Sequence, residues 1–295
     1  MIFSEQRKKH IKSIIDIFCR DYKDIDADNL YDYIISSSEF CIPDSYVPDY
    51  SNDYLEDTVY IWILTELGQL GSLSYMMSKI QDPNLMISNM LRGICNSIYS
   101  VLHLSINGLD YSAKILLRVL MEQYMILLSI TADQEKRNAY INSWEDDEAT
   151  DTWYKNFTKK KFINLISKYF DNTKIDQKDI ADWVDEKYSH YSGYVHNDYA
   201  KVFLWSYVNL QGDELKPNVC GEYVTRKYEL LFDCFFITLC FDMMFWNMIS
   251  DSNVDIDIDT LLNNNSHYIQ TTLDTNKFKF WLGLLIVEIK RKENL

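Results

Sequence analysis

Two long apolar segments, separated by one short turn, constrain the fold of this chain more than any other feature. Residues 84–106 and 110–131 carry apolar side chains nearly all round a helix, and Asn107-Gly108 between them is a typical helix stop. Asp110 is positioned to cap the second helix. Because the connection is short and both helices are apolar on most sides, the sequence predicts an antiparallel helical hairpin at the centre of the fold.

The scarcity of glycine and proline extends the helical prediction to the rest of the chain. The 295 residues include only 8 Gly and 4 Pro, whereas 47% are apolar. This composition favours long regular elements and a sizeable core, so we predict an all-α fold, a single bundle of about eight to ten helices. We assign residues 1–55 to an N-terminal helix and loop, and residues 56–295 to the main helical bundle, as one continuous domain.

The most apolar segment, residues 222–249, has two interpretations. Its length suits a membrane span, but Glu229, Asp233 and Asp242 lie inside it, and each acid costs about 2–3 kcal/mol at the centre of a bilayer. A central buried helix is therefore the favoured interpretation. The N-terminal segment lacks the long apolar run of a secretory signal, and we expect no membrane association.

The cysteines and histidines have no metal-binding spacing. None of the six cysteines forms a C-x-x-C pair, and the five histidines form no H-E-x-x-H element. Most of the cysteines fall within apolar runs, where a free thiol behaves as a small hydrophobic group. We therefore expect no metal and no cofactor, and a reducing cytoplasm as the compartment.

The net charge of −15 limits the partners that the chain can bind. A negative field of this size repels nucleic acid phosphates, so RNA could be bound only through a local basic patch. The best candidate is Lys159, Lys160 and Lys161, with Lys155 one turn earlier; such a short run is also typical of a solvated helix face. A protein partner or a second copy of the chain is the more compatible ligand.

Two polar stripes interrupt segments that otherwise read as buried helix. Arg118 and Glu122 share one helix face, and Tyr188, Ser192 and His196 form a line on another. Charges on a strongly apolar helix are costly unless they are paired. The sequence therefore predicts that the two stripes meet in one polar pocket.

The chemistry of this pocket has two interpretations. Arg118 and Glu122 are either a structural ion pair or the ordering groups of a site for an anionic or polar ligand. His196 is either a helix-end histidine or a general acid/base, with Arg118 stabilising the developing negative charge. Under the functional interpretation Glu122, Tyr188, Ser192 and Asn197 bind the ligand.

The segments GLDYSAKILLRVLMEQYMILLSI and YSHYSGYVHNDYA resemble a group of uncharacterised bacterial all-α proteins. In that group, an apolar helix with R-x-x-x-E is followed by a Y-x-x-x-S-x-x-x-H stripe, and the group looks related to HEPN-like proteins of toxin, abortive-infection and phage-defence loci. The resemblance covers roughly residues 84–200. It implies a HEPN-like central hairpin and a role in antiviral defence.

The sequence departs from the nuclease-active members of that family. Those proteins carry an R-x4–6-H element on one helix, whereas no arginine lies within six residues before His196 here. A metal-independent ribonuclease would need Arg118 to reach His196 from the other helix. The leading hypothesis is therefore a sensor, scaffold or partner-binding module of a defence system, and the alternative is a HEPN-like ribonuclease toxin that uses Arg118 and His196.

Overall fold

The computed structural model confirms the predicted all-α class. The structure describes residues 3–42, 51, 53–79, 84–143, 146–169, 177–196, 209–211, 214–216, 227–249 and 266–293. The helices in these residues are α1 (Glu5–Asp21), α2 (Ala27–Cys41), α3 (Tyr54–Met77), α4 (Asn84–Ile106), α5 (Asp110–Ala132), α6 (Gln134–Asn142), α7 (Asp146–Asn156), α8 (Lys159–Tyr169), α9 (Gln177–Val195), α10 (Lys227–Ile249) and α11 (Ser266–Glu293). Two short strands, β1 (Asn209–Gln211) and β2 (Glu214–Lys216), form an antiparallel pair.

The turn between α4 and α5 forms where Asn107-Gly108 predicts it. Gly108 adopts a positive φ of 69°, which glycine reaches at no steric cost. Its N–H donates to the carbonyl of Ser105 at 3.2 Å, and the Leu109 N–H donates to Leu104 at 2.9 Å, which satisfies the last carbonyls of α4. The predicted cap was wrong: Leu109 occupies the N-cap position without a side-chain bond, and Asp110 is buried in the first turn.

The segment 151–169 contains most of α7 and all of α8. Thr158 interrupts it at an N-cap position, where its carbonyl accepts the Phe162 N–H at 3.0 Å. The polar segment before it, 133–150, contains α6, which begins because the Asp133 carboxylate accepts the N–H groups of Glu135 and Lys136. Strands β1 and β2 pair in antiparallel orientation, with Leu210 opposite Leu215.

The chain divides into two compact units. Unit 1 consists of Met1–Tyr99, Leu231–Leu239 and Asp257–Leu295, and unit 2 consists of Ser100–Leu230 and Cys240–Ile256. Within unit 1, α1 and α2 pack against α3. The first boundary falls within α4, so the two helices of the predicted central hairpin belong mostly to different units, and α5 packs most closely against α9.

Two glycines of α3 let α2 approach closely in unit 1. A Cβ atom at Gly68 would lie 2.8 Å from the backbone nitrogen of Ser38, and one at Gly71 would overlap the Cys41 thiol. The Ser38 hydroxyl donates across this contact to the carbonyl of Leu64 at 3.0 Å. Larger side chains at the two glycines would push the helices apart, so close packing explains both residues.

The core of unit 2 is aromatic and centres on Phe241 of α10. The rings of Tyr124, Phe162 and Trp183, from α5, α8 and α9, lie 5.3–6.0 Å from the Phe241 ring. Outside this aromatic cluster, the Arg137 side chain of α6 donates hydrogen bonds to the carbonyls of Ile130 and Thr131. It thereby satisfies two of the last carbonyls of α5.

Helices α5 and α10 are both strongly apolar, and both are buried along most of their length. In α10 both Phe235 and Asp242 are fully buried, as the prediction of a central buried helix requires. By length and composition α5 could cross a membrane, but 61% of its apolar window is buried within the protein. The core helix of a globular protein passes the same test, and burial accounts for the apolar character of α5.

Candidate functional site

The polar site begins on α5 with Arg118 and Glu122, which are one helical turn apart. The Nη1 atom of Arg118 lies 2.7 Å from Oε1 of Glu122, an ion-pair distance, although its N–H bonds are not directed at the carboxylate. The Arg118 side chain is 9% exposed and that of Glu122 is 30% exposed. The pair therefore lies at the edge of the core, where water still reaches the carboxylate.

Helix α9 brings the second stripe against this pair. The Nε of Arg118 donates to the Ser192 hydroxyl at 3.0 Å, and the guanidinium carbon lies 3.1 Å from the centre of the Tyr188 ring. The Tyr188 phenol donates to Oε1 of Glu122 at 3.2 Å. The structure thus joins four of the six predicted site residues in one network.

The same two helices make further contacts toward the end of α9. The Tyr111 phenol donates to the Tyr194 carbonyl at 2.8 Å, and the Lys114 ammonium lies 5.4 Å from the Tyr194 ring centre. Residue numbers rise along α5 as they fall along α9, so the helices are antiparallel. We call the set Tyr111, Lys114, Arg118, Glu122, Tyr188, Ser192 and Tyr194 the α5–α9 seam.

The Tyr188 phenol and the Ser192 hydroxyl of the seam both keep their protons in hydrogen bonds. Burial raises the pKa of the Tyr188 phenol, and the neighbouring Glu122 carboxylate raises it further while Arg118 opposes the shift. The phenol therefore keeps its proton and donates a hydrogen bond to Glu122. The Ser192 hydroxyl donates to the Tyr188 carbonyl at 2.7 Å while it accepts from Arg118, so its proton is also engaged. A nucleophilic Ser192 would need a base at that proton, and a backbone carbonyl occupies the position.

His196 lies outside this network. It follows the last residue of α9, its side chain is exposed, and its backbone N–H donates to the Ser192 carbonyl at 3.0 Å. Within the part of the chain that the structure describes, no ion pair or hydrogen bond joins the imidazole to Arg118 or Glu122. Asn197 lies outside the described residues.

The basic run at the start of α8 is partly neutralised. Lys159 forms an ion pair with Asp185 of α9 and donates to the Ser189 hydroxyl at 3.4 Å. Lys160 and Lys161 are exposed. The predicted patch therefore presents fewer unpaired charges than its sequence suggests, which weakens it as a surface for RNA.

The sequence interpretation missed a buried charge cluster in unit 1, around Asp57 of α3. Its Oδ1 accepts from Arg7 Nε at 2.9 Å and from Nη2 at 2.7 Å, and its Oδ2 lies 2.6 Å from Nδ1 of His10. Arg7 and Asp57 are 1% and 0% exposed. Burial alone would raise the pKa of Asp57, but the contact with His10 and the Arg7 guanidinium outweigh it and hold the pKa below its usual value.

A second missed pair joins Lys279 of α11 to Glu66 of α3, and both side chains are 0% exposed. The carbonyl of Lys279 accepts the indole N–H of Trp62 at 2.9 Å, so main chain and side chain both fix α11 to α3. The signal was present in the sequence, because Glu66 and Lys279 are charges within apolar helical runs. The criterion that selected Arg118 and Glu122 would have selected these residues too.

The chain has no match in three comparisons with known proteins. No protein-family model, no curated protein and no solved structure matches it. Among the residues that the structure describes, no group of three or more His, Cys, Asp or Glu side chains is placed to hold a metal ion. The proposed function therefore depends on the geometry of the seam, the cysteine composition and the sequence resemblance.

Proposed function

We propose that this protein is a cytoplasmic defence-associated helical module that acts by binding a partner, a second protein or another copy of itself, rather than by catalysis. The compartment follows from the free-thiol composition, and the defence role from the R-x-x-x-E and Y-x-x-x-S-x-x-x-H resemblance. In this proposal Arg118, Glu122, Tyr188 and Ser192 hold α9 on α5.

One observation carries the non-catalytic assignment. The Arg118 guanidinium faces Glu122, Ser192 and the Tyr188 ring within its own unit, and only 9% of its side chain is exposed. A phosphate-binding arginine must present its N–H fork to the ligand. To bind RNA, this arginine would have to leave the Tyr188 ring and the Ser192 hydroxyl.

The first experiment measures RNA cleavage and melting temperature on the same proteins. Purified wild type and His196→Ala are incubated with labelled single-stranded and hairpin RNA without metal. We expect no cleavage by either protein and equal melting temperatures, because the exposed imidazole bonds to neither Arg118 nor Glu122. Cleavage by the wild type that disappears in His196→Ala at an unchanged melting temperature would refute the proposal.

The second experiment tests the defence role. Bacteria that express the wild type, His196→Ala or Arg118→Met are challenged with a panel of phages. We expect the wild type and His196→Ala to reduce plaque formation equally, and Arg118→Met to lose protection in proportion to its loss of folded protein. If the wild type reduces plaque formation by no phage of the panel, the proposed defence role is wrong.

The alternative, a HEPN-like metal-independent ribonuclease, has one observation in its favour. His196 is exposed at the end of α9, one turn beyond Ser192, and an acid/base residue must reach its substrate. This alternative predicts that Arg118→Met and His196→Ala both abolish cleavage and that His196→Ala stays fully folded.

A further inference from the structure

Unit 1 contains a cavity that no part of the proposed function uses. Its volume is about 360 Å³, at the small end of the range for ligand pockets. The described lining comes from the end of α2, the middle of α3 and one face of α4, and it includes Cys41, Leu67, Gly71, Arg92, Cys95 and Asn96. Gly71 is required here, since a methyl group at that position would meet the Cys41 thiol.

The described residues of the inner wall are uncharged. Burial raises the pKa of the Cys95 thiol, with a smaller contribution from Glu66, and burial likewise raises the pKa of the Cys41 thiol, so both sulfurs stay protonated. A protonated thiol behaves as a small hydrophobic group, in keeping with Leu67 beside it. This wall suits an aliphatic or aromatic body rather than a polar one.

Among the lining residues that the structure describes, Arg92 is the cation, and it lies at the rim. Arg92 is exposed, and its Nε donates to the Ser74 hydroxyl at 3.1 Å, which orients the guanidinium. In the described part of the chain, Arg92 has no carboxylate partner, in contrast to Arg7 and Arg118. Asn96, one turn further along α4, adds an exposed amide. An arginine fork beside an amide suits a carboxylate.

We propose that this cavity binds a small amphiphilic monocarboxylate, with the apolar body against Leu67, Cys41 and Cys95 and the carboxylate on Arg92. The site is independent of the proposed function, because every lining residue that the structure describes belongs to unit 1 and the seam belongs to unit 2. The proposal therefore stands or falls without regard to RNA cleavage or defence.

The two cavity thiols provide the measurement. Wild-type protein is alkylated with N-ethylmaleimide at mildly alkaline pH, where the small thiolate fraction of each cysteine reacts, with and without octanoate. The rate at each cysteine is followed by peptide mass spectrometry. Bound octanoate should slow modification of Cys41 and Cys95 severalfold. Cys19 of α1 is an internal reference that does not line the cavity, and its rate should stay constant.

Matched probes and variants separate the two halves of the ligand. Octanol should protect much less than octanoate, and acetate not at all. Arg92→Gln should weaken octanoate binding by about tenfold or more, the loss expected for a charge-assisted hydrogen bond, whereas Arg20→Gln removes the same charge from an exposed position on α1 and should leave it unchanged.

Three outcomes would overturn the proposal. No protection of either cavity thiol by octanoate rules out the site. Equal protection by octanol and octanoate, with Arg92→Gln unaffected, rules out carboxylate recognition. Equal slowing at Cys19 shows a general effect on the protein rather than binding in the cavity.

Discussion

The two units stabilise a charged side chain on an apolar helix in different ways. In unit 1 the pairs Lys279–Glu66 and Arg7–Asp57 are sealed from water, with side chains at most 1% exposed. In unit 2 the Arg118–Glu122 pair lies at the edge of the core, and Glu122 is 30% exposed. A carboxylate that water can reach tolerates the loss of its partner, whereas a sealed one does not, so the same substitution should cost very different amounts in the two units.

The largest effect is expected at Lys279. Lys279→Met leaves the Glu66 carboxylate in the core without its cation and should lower the free energy of unfolding by about 3–5 kcal/mol, measured by urea denaturation. The double variant Lys279→Met/Glu66→Leu is the control and should recover most of the loss. If the single and double variants are equally destabilised, side-chain packing rather than the unpaired charge is responsible.

A somewhat smaller effect is expected at Asp57, together with a pH signature. Asp57→Asn keeps one acceptor for Arg7 and should cost about 2–3 kcal/mol at neutral pH. Because the folded pKa lies below the usual 3.8, the stabilisation by Asp57 is present above that pH and is lost as the pH falls through the folded value. The difference between wild type and Asp57→Asn should therefore shrink at acid pH. A constant difference from neutral to acid pH would contradict the ionised carboxylate.

Arg118 should matter less than either residue of unit 1. Arg118→Met removes the bond to Ser192 and the stacking on Tyr188, but Glu122 can be solvated, so the expected loss is about 1–2 kcal/mol in urea denaturation. A loss as large as that of Lys279→Met would erase the contrast between the two units.

The smallest effect is expected at His196. Its side chain is exposed and bonds to neither Arg118 nor Glu122, so His196→Ala should change the free energy of unfolding by less than about 0.5 kcal/mol. A loss above about 1 kcal/mol would show that the imidazole belongs to the buried network after all.

The parts of the structure that could be predicted from the sequence are those that depend on local pattern and on the cost of an unpaired charge. The bounds of α4 and α5 followed from apolar periodicity and from local stop signals, and Gly108 marks the end of α4 as expected. The meeting of the stripes followed from the cost of unpaired charge, since Arg118 needed partners beyond its own helix. These inferences needed only local pattern and one rule about burial.

Long-range geometry was not accessible in the same way. Nothing local indicates that Asp57 faces Arg7, 50 residues away, or that Glu66 meets Lys279, 213 residues away. Local spacing also misplaced His196. It was predicted to join Arg118, because an uninterrupted helix would place it on the same line as Tyr188 and Ser192. The regular helix ends at Val195, and the line ends with it.

A double-mutant cycle between Arg118 and Ser192 tests the central claim, that the polar stripes of α5 and α9 form one interhelical network. The free energies of unfolding of the wild type, Arg118→Met, Ser192→Ala and the double variant are measured under one set of conditions. We expect losses that are not additive, with a coupling of about 0.5–2 kcal/mol, because each substitution removes the same bond. Strict additivity would contradict the network and would show that Arg118 and Ser192 stabilise the protein independently.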